Sequence, residues 1–310
     1  MFKVSVIIPV YNAENYLEKA VMSAVELSDV KEVLLIDDAS PDNSGKLCDI
    51  LLKKFDKVKV FRHPNNENRG AGASRNLGLQ MASCDYIAFL DADDYYLPNR
   101  FDITKHIFER DKSVDGIYET VGVFFYTEKA KEQFAQWKGI LTEGVDDFLE
   151  RVEDRHIKSE NLLMSLLSAG TGRFHTDGIT FKKELLKKTG MFNPALRLHQ
   201  DTDLWLRMAY SGKLVPGKYD KPVAIRGVHE QNRIHSLNIN SRKNLYTSVY
   251  KWFLNKPLNP IVFRVIFKYY INNLYPWPTI KFAPVRKTLK LACMAKEIVK
   301  KPIIITRLIS

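Results

Sequence analysis

The chain has 310 residues, 45% of them hydrophobic, enough to fill a core for one large domain or two modest ones, which excludes a disordered chain. The formal net charge of +11 is concentrated at one end: from Ser241 onward lie 14 of the 47 Lys and Arg residues but only one of the 36 acids, Glu297. A nucleic-acid binder carries its basic face across the main fold, whereas the first 240 residues are nearly balanced, so nucleic acid is not the expected partner. The basic tail points instead to an anionic membrane surface.

Cys48, Cys84 and Cys293 are far apart, lack zinc-site spacing and fit a reducing compartment. Met1-Phe2-Lys3 leads straight into an apolar run too short for a signal peptide, which gives an expectation of cytoplasmic residence. The best later apolar stretch, Ile261 to Tyr275, is interrupted by Arg264 and Lys268 and does not read as a membrane span.

In chain order, β-rich runs alternate with helical patterns: Val4 to Pro9, Asn15 to Leu27, Glu32 to Asp37, Ser44 to Phe55, Val58 to Arg62, Ala71 to Ala82, Tyr86 to Leu90. Such alternation predicts an α/β fold with a Rossmann-like, mostly parallel sheet flanked by helices. Ligands of these sheets bind beyond the carboxyl ends of the strands. Tyr11 and Asn12, Asp37 and Asp38, and Asp91 and Asp93 all fall there. Asp115 to Lys138 reads as a strand followed by an excursion, Phe148 to Leu167 as a helix and Gly178 to Phe181 as a short strand. Asp203 to Tyr210 then reads as a helix and Val215 to Val228 as further strands. Beyond Ser241, Pro257, Pro260, Pro276, Pro278, Pro284 and Pro302 divide a basic, aromatic tail into three helices. Its Trp252, Phe253, Phe263, Phe267, Tyr269, Tyr270, Tyr275 and Trp277 fit either rings at lipid headgroup depth or a helical appendage whose aromatics pack on the main domain or a second subunit.

Leu90-Asp91-Ala92-Asp93-Asp94 places three carboxylates in one loop directly after an apolar strand. Their mutual repulsion is relieved by a hard divalent cation with oxygen ligands, which also bridges phosphates. A second acidic run, Leu198-His199-Gln200-Asp201-Thr202-Asp203-Leu204-Trp205, puts Asp201 at a helix start, where the dipole favours its charged form. A carboxylate there, within about 3 Å of a hydroxyl, can take its proton.

Together with Ser5-Val6-Ile7-Ile8-Pro9-Val10-Tyr11-Asn12, Leu35-Ile36-Asp37-Asp38-Ala39-Ser40 and Asn68-Arg69-Gly70-Ala71-Gly72-Ala73-Ser74-Arg75-Asn76, these runs resemble family 2 glycosyltransferases of the GT-A fold. The likeness covers roughly the first 110 residues and resumes around Gly190 to Leu206. It implies a nucleotide-sugar-binding half over 1–112, an acceptor and catalytic-base half over 113–240, and a basic helical extension over 241–310. It also implies inverting transfer from a UDP-sugar to a saccharide or lipid-linked acceptor, in cell-surface polysaccharide or lipopolysaccharide assembly, with Mn²⁺ or Mg²⁺.

By the same resemblance, Tyr11 and Asp38 hold the uracil, with Pro9, Asn12 and Asn68 beside them. Arg75, Asp91 and Arg226 contact the nucleotide. Asp93 and His229 hold the metal, His229 through a late Arg-x-x-His element that also offers Arg233. Asp201 is the base, with Gln200 and Asp177 on the acceptor side and His175 of lower rank. Gln200 departs from the family's usual Glu, which unsettles acceptor contacts.

Each residue also has a local reading. Tyr11 can pack as a strand-end aromatic, Asp38 and the acidic run can form turns, Asp201 or Asp203 can cap a helix, and His229 can be structural. Whole-chain alternatives are a catalytically silent nucleotide-sugar binder, a nucleotidyltransferase and a nucleic-acid module.

Overall fold

The computed structural model describes residues 1–139, 149–150, 157–168, 174–217, 220–232, 239–274, 283–300, 304 and 308. In chain order the first elements are β1 (Val4–Val10), α1 (Leu17–Val25), β2 (Val30–Asp37), α2 (Ser44–Lys54), β3 (Val58–Arg62), α3 (Ala71–Met81) and β4 (Tyr86–Phe89). β5 (Tyr95–Tyr96), α4 (Asp102–Arg110), β6 (Gly116–Tyr118), β7 (Val121–Phe125), α5 (Glu128–Lys138), β8 (Leu149–Glu150) and α6 (Ser159–Ser168) follow. The remainder comprises β9 (Ile179–Lys182), α7 (Leu186–Thr189), α8 (Gln200–Ser211), β10 (Leu214–Pro216), β11 (Ala224–Val228), α9 (Ile239–Phe253), α10 (Pro260–Leu274) and α11 (Ala283–Lys300).

Seven strands form one sheet in the order β10-β6-β9-β4-β1-β2-β3, parallel throughout except for β9. This is the mostly parallel α/β sheet that the alternating pattern predicts. β1 is an interior strand, between β4 and β2, and nearly every residue of it is buried, as a strand covered on both faces requires. Its alternate side chains serve two cores. Ile7 packs with Leu34, Phe89 and Trp205, while Val6 and Ile8 pack with Val33, Leu35 and Phe108. Gly78 lets α3 lie close on β1, for a Cβ there would stand 2.4 Å from Ile7 Cγ2.

A second sheet, β5-β11-β7-β8, stands beside the first. Its strand β11 ends where the acidic loop after β4 begins to turn, and Gly227 N–H donates to Asp94 Oδ1 at 2.8 Å.

The excursion expected after Asp115 is regular: two short strands and α5, with Phe125 and Phe134 packed between them. The helix read over Phe148 to Leu167 is shorter. Leu149–Glu150 pairs with β7 as a strand, and among the described residues of that stretch the helix is Ser159–Ser168, burying Leu162, Leu163, Leu166 and Leu167. Residues 148 and 151–156 lie outside the described residues.

Of the two readings of the tail's rings, packing on the main domain is the one the described rings follow. Phe253, Phe263, Phe267 and Tyr270 are buried in the cluster that holds Trp205, and Trp252 and Tyr269 are half-buried against it. Tyr250 stacks on Tyr270 at 4.2 Å between centroids. Tyr275 and Trp277 lie outside the described residues. Among the described residues no helix is long and apolar enough to cross a membrane.

At the edge of the sheet away from the acidic loop, buried Glu32 accepts hydrogen bonds from Ser5 Oγ (2.6 Å), Ser83 N (2.6 Å), Ser83 Oγ (2.8 Å) and Lys59 Nζ (2.6 Å). Burial disfavours its charge, but these bonds outweigh it and lower the pKa from 4.5 to about 2. A carboxyl with a depressed folded-state pKa stabilises the fold above its ordinary value and loses that contribution as pH falls through it. Glu32→Gln is therefore expected to lower the melting temperature at pH 7 and to flatten its decline between pH 4.5 and 2. Thermal melts across that range check both.

Candidate functional site

The loops at the carboxyl ends of β1, β2 and β4 converge with the start of α8 and the end of β11. After β1, Tyr11 stands 41% exposed and Asn12 takes a left-handed φ of 53°. After β2, Ala39 also has a left-handed φ, 58°, which a residue with a Cβ adopts only where its surroundings hold it. Asp38 N–H donates to Val10 O at 2.9 Å.

The Asp38 carboxylate organises the glycine-rich turn. Its Oδ1 accepts Arg69 N–H at 2.7 Å and its Oδ2 accepts Gly70 N–H at 2.8 Å. Asn68 Nδ2 donates to the Asp38 carbonyl at 3.1 Å, so Asn68 holds the Asp38 backbone and does not line the cleft. Below them, His63 Nε2 is 3.0 Å from Ser74 Oγ and 3.5 Å from Asp38 Oδ1, and burial lowers its pKa.

Around the acidic loop, Asp91 pairs with the buried Arg75 at 2.5 Å, and its own N–H donates to Asp177 Oδ1 at 3.0 Å. Asp94 is 3% exposed and Asp177 fully buried, and their carboxyls hydrogen-bond to each other. Burial, with Asp177 and Asp93 nearby, pushes Asp94 well above the usual carboxylate range. Burial acts on Asp177 too, yet His175 and the bonds from Asp94 and Asp91 N–H bring it to about 2. Burial therefore disfavours charge on Asp94 more than on Asp177. Asp177 faces the underside of this loop, which corrects its assignment to the acceptor side.

Asp93 is oriented differently. Its Oδ2 lies 3.1 Å from His229 Nε2 and accepts Asn232 Nδ2 at 3.0 Å. Two ligands in adjacent positions of an octahedral Mg²⁺ or Mn²⁺, each about 2.1 Å from the ion, stand about 3.0 Å apart. Asp93 Oδ2 and His229 Nε2 have that spacing, which is also that of a hydrogen bond, so an ion seated there would take the place of the proton they share. Asp91, Asp94 and His175 also offer atoms within 4.8 Å of one another, with Asp91 there already paired to Arg75.

On the opposite wall, α8 starts one residue before Asp201, following His199 in a left-handed conformation at φ 60°. Gln200 donates through Nε2 to Leu196 O and packs its amide where a Gly72 Cβ would stand. An amide can make that bond and a carboxylate cannot, which accounts for Gln in place of Glu. Asp203 turns away to pair with Arg207 at 2.6 Å.

One cleft of about 420 Å³, within the usual 300–1,000 Å³ of ligand sites, joins these walls. Pro9, Tyr11, Asn12, Asp38, Arg75, Asp91, Asp93, Gln200, Asp201, Arg226 and His229 all line it. Arg233 lies outside the described residues. Tyr16, Arg197, His199 and Asn232 also line it and went unread. Asn232 follows His229 by three residues, but nothing in its type or spacing announces a carboxylate partner.

The family model described as glycosyl transferase family 2 matches residues 5–166, more than half of the chain. The chain belongs to that family. An uncharacterized glycosyltransferase of Rickettsia felis is 28% identical over 244 residues, covering 75% of this chain and 34% of the relative. Glycosyltransferase GlyG of Streptococcus pneumoniae is 26% identical over 192 residues, 61% of this chain and 58% of its own. The chain thus spans about a third of the length of the rickettsial relative. Among solved structures, S. aureus TarS in complex with UDP-GlcNAc superposes with a TM-score of 0.64 at 18% identity, over 88% of this chain and 71% of that one. The mannosyltransferase PcManGT from Pyrobaculum calidifontis, in complex with GDP-Man and Mn²⁺, gives 0.53 at 16% identity over 98% and 83%. These likenesses show the GT-A fold.

Removing Asp177 leaves the Asp91 N–H without its acceptor, beside the buried Asp94. Asp177→Ala is expected to destabilise the fold by about 1–3 kcal/mol, measured by urea unfolding.

Proposed function

We propose that this chain transfers a sugar from a nucleotide diphosphate donor, a UDP-sugar, to a saccharide or lipid-linked acceptor with inversion at the anomeric carbon. The observation that carries the reading is that Asp38, Asp93 and Asp201, drawn from distant parts of the sequence, line a single cleft at the carboxyl edge of the sheet.

In this reading the base stacks on the exposed Tyr11 ring, and Asp38 accepts a ring N–H with the lone pairs left by Arg69 and Gly70. Mn²⁺ or Mg²⁺, held by Asp93 and His229, supplies charge neutralisation for the departing diphosphate. Arg75, already balanced by Asp91, lies between the donor wall and Asp201 and limits repulsion across the cleft. The acceptor oxygen forms its bond to the anomeric carbon as Asp201 takes the hydroxyl proton. The bond from that carbon to the diphosphate oxygen breaks, its electron pair leaving with the nucleotide. Single displacement of this kind inverts the centre.

A hexosyl or N-acetylhexosaminyl donor, an acceptor of cell-surface polysaccharide or lipopolysaccharide assembly, and a cytoplasmic site of action complete the proposal. They rest on the family resemblance; TarS has been solved with UDP-GlcNAc and PcManGT with GDP-Man. Contact with anionic lipid is proposed through Arg264 and Lys268 on α10 and Lys287 and Lys296 on α11. All four are exposed, beside exposed Ile261 and Leu291. Flotation with anionic vesicles but not neutral ones is expected; equal recovery with both removes this part.

A thermal-shift screen of nucleotide sugars with Mn²⁺ identifies the donor, because a ligand selective for the native state raises the melting temperature. With that donor, Asp201→Asn is expected to retain binding and to lose at least about 100-fold in turnover. Wild-type protein that binds a donor yet neither transfers nor hydrolyses it is a silent binder, and the transferase reading fails.

A further inference from the structure

The pair formed by Asp93 and His229 is built into place by neighbours, Asn232 and Tyr16, to which the sequence motifs assign no role. Asn232 makes two bonds at once: Nδ2 donates to Asp93 Oδ2 at 3.0 Å and Oδ1 accepts the His229 backbone N–H at 2.6 Å. Its side chain therefore ties the acidic loop after β4 to the turn after β11. The imidazole of His229 is fixed as a plane as well. Tyr16 stacks on it with centroids 4.8 Å apart and 15° between planes, and Tyr126 approaches Tyr16 at 4.7 Å and the imidazole edge-on at 6.4 Å. Gly227 permits the close passage of the two loops, since a Cβ there would meet Asp93 O at 2.2 Å and the Tyr126 ring at 2.7 Å.

These contacts set both the position and the rotation of the imidazole before any ligand arrives. His229 Nε2 and Asn232 Nδ2 meet the same oxygen, Asp93 Oδ2, so the Asn232 amide holds that oxygen beside the imidazole.

We infer that Tyr16 and Asn232 are positioning residues for the divalent-cation site, holding His229 and Asp93 in ligating register. The inference rests on the metal role proposed for that pair. Outer partners of metal ligands typically change ion affinity by 10–100-fold when removed, without themselves touching the ion. Stacking explains why the residue at 16 is aromatic although it is only half-buried, on the wall of a polar cleft.

The test is Mn²⁺ binding to the full chain, read by electron paramagnetic resonance of free Mn²⁺, with and without UDP. Thermal melts of each variant report folding. Tyr16→Leu and Asn232→Ala are expected to weaken Mn²⁺ binding by about 10-fold or more. Tyr16→Phe, which keeps the ring and loses the hydroxyl, is expected to bind as wild type does. In transfer assays the Mn²⁺ concentration for half-maximal rate is expected to rise in the first two variants, with kcat restored at saturating Mn²⁺.

Wild-type Mn²⁺ affinity in a folded Tyr16→Leu or Asn232→Ala overturns the inference and leaves the metal role of Asp93 standing. Failure of wild-type protein to bind Mn²⁺ even with UDP overturns the metal role and this inference together.

Discussion

Four carboxyl groups, Asp91, Asp93, Asp94 and Asp177, are crowded around one turn, and the arrangement of the cleft follows from how their repulsion is relieved. The relief differs from one to the next. Asp91 has the guanidinium of Arg75, burial disfavours charge on Asp94, and Asp177 is favoured as an anion by His175, Asp94 and the N–H of Asp91. Asp93 faces the cleft with only an imidazole and an amide against it. The group left with charge to spare is the one directed at the space where a ligand would lie.

This turn also joins the two sheets. β4 of the large sheet delivers it, β11 of the small sheet receives it through Gly227 N–H, and the turn just before β9 supports it from below through Asp177. The second wall hangs from the same scaffold. Trp205 of α8 is buried in the core beneath the large sheet together with the tail's α9 and α10, so the position of Asp201 depends on packing by the chain's last third. The basic extension is therefore part of the body that holds the cleft, whatever its outer face contacts.

Much of the donor wall was legible because parallel strands announce themselves as short apolar runs, and the residues just after them must edge the cleft. Tyr11, Asp38, Asp91 and Asp93 follow from that rule before any likeness is invoked. Asp177 was misjudged because a buried acid and a cleft-facing acid look alike in sequence; only the depth of the loop above it separates them. Tyr16 and Asn232 were missed for a related reason. Their importance lies in contacts with residues 213 and 139 positions away, and neither a helix-start tyrosine nor a loop asparagine signals such a partner. The tail's aromatics left two readings open, since composition reports rings and charges but not which face of a helix each occupies. Gln200 gained meaning only from Leu196 O and Gly72, which show why an amide suits that position.

The central claim is that the cleft binds a nucleotide diphosphate through a divalent ion seated on Asp93 and His229. Anomalous diffraction from crystals grown with Mn²⁺ and UDP tests it most directly. The account predicts one strong manganese peak in contact with the Asp93 carboxylate and His229 Nε2, bridging to the diphosphate, with the uracil between Tyr11 and Asp38. Manganese seated instead among Asp91, Asp94 and His175, or UDP bound with no ion at Asp93, would contradict it.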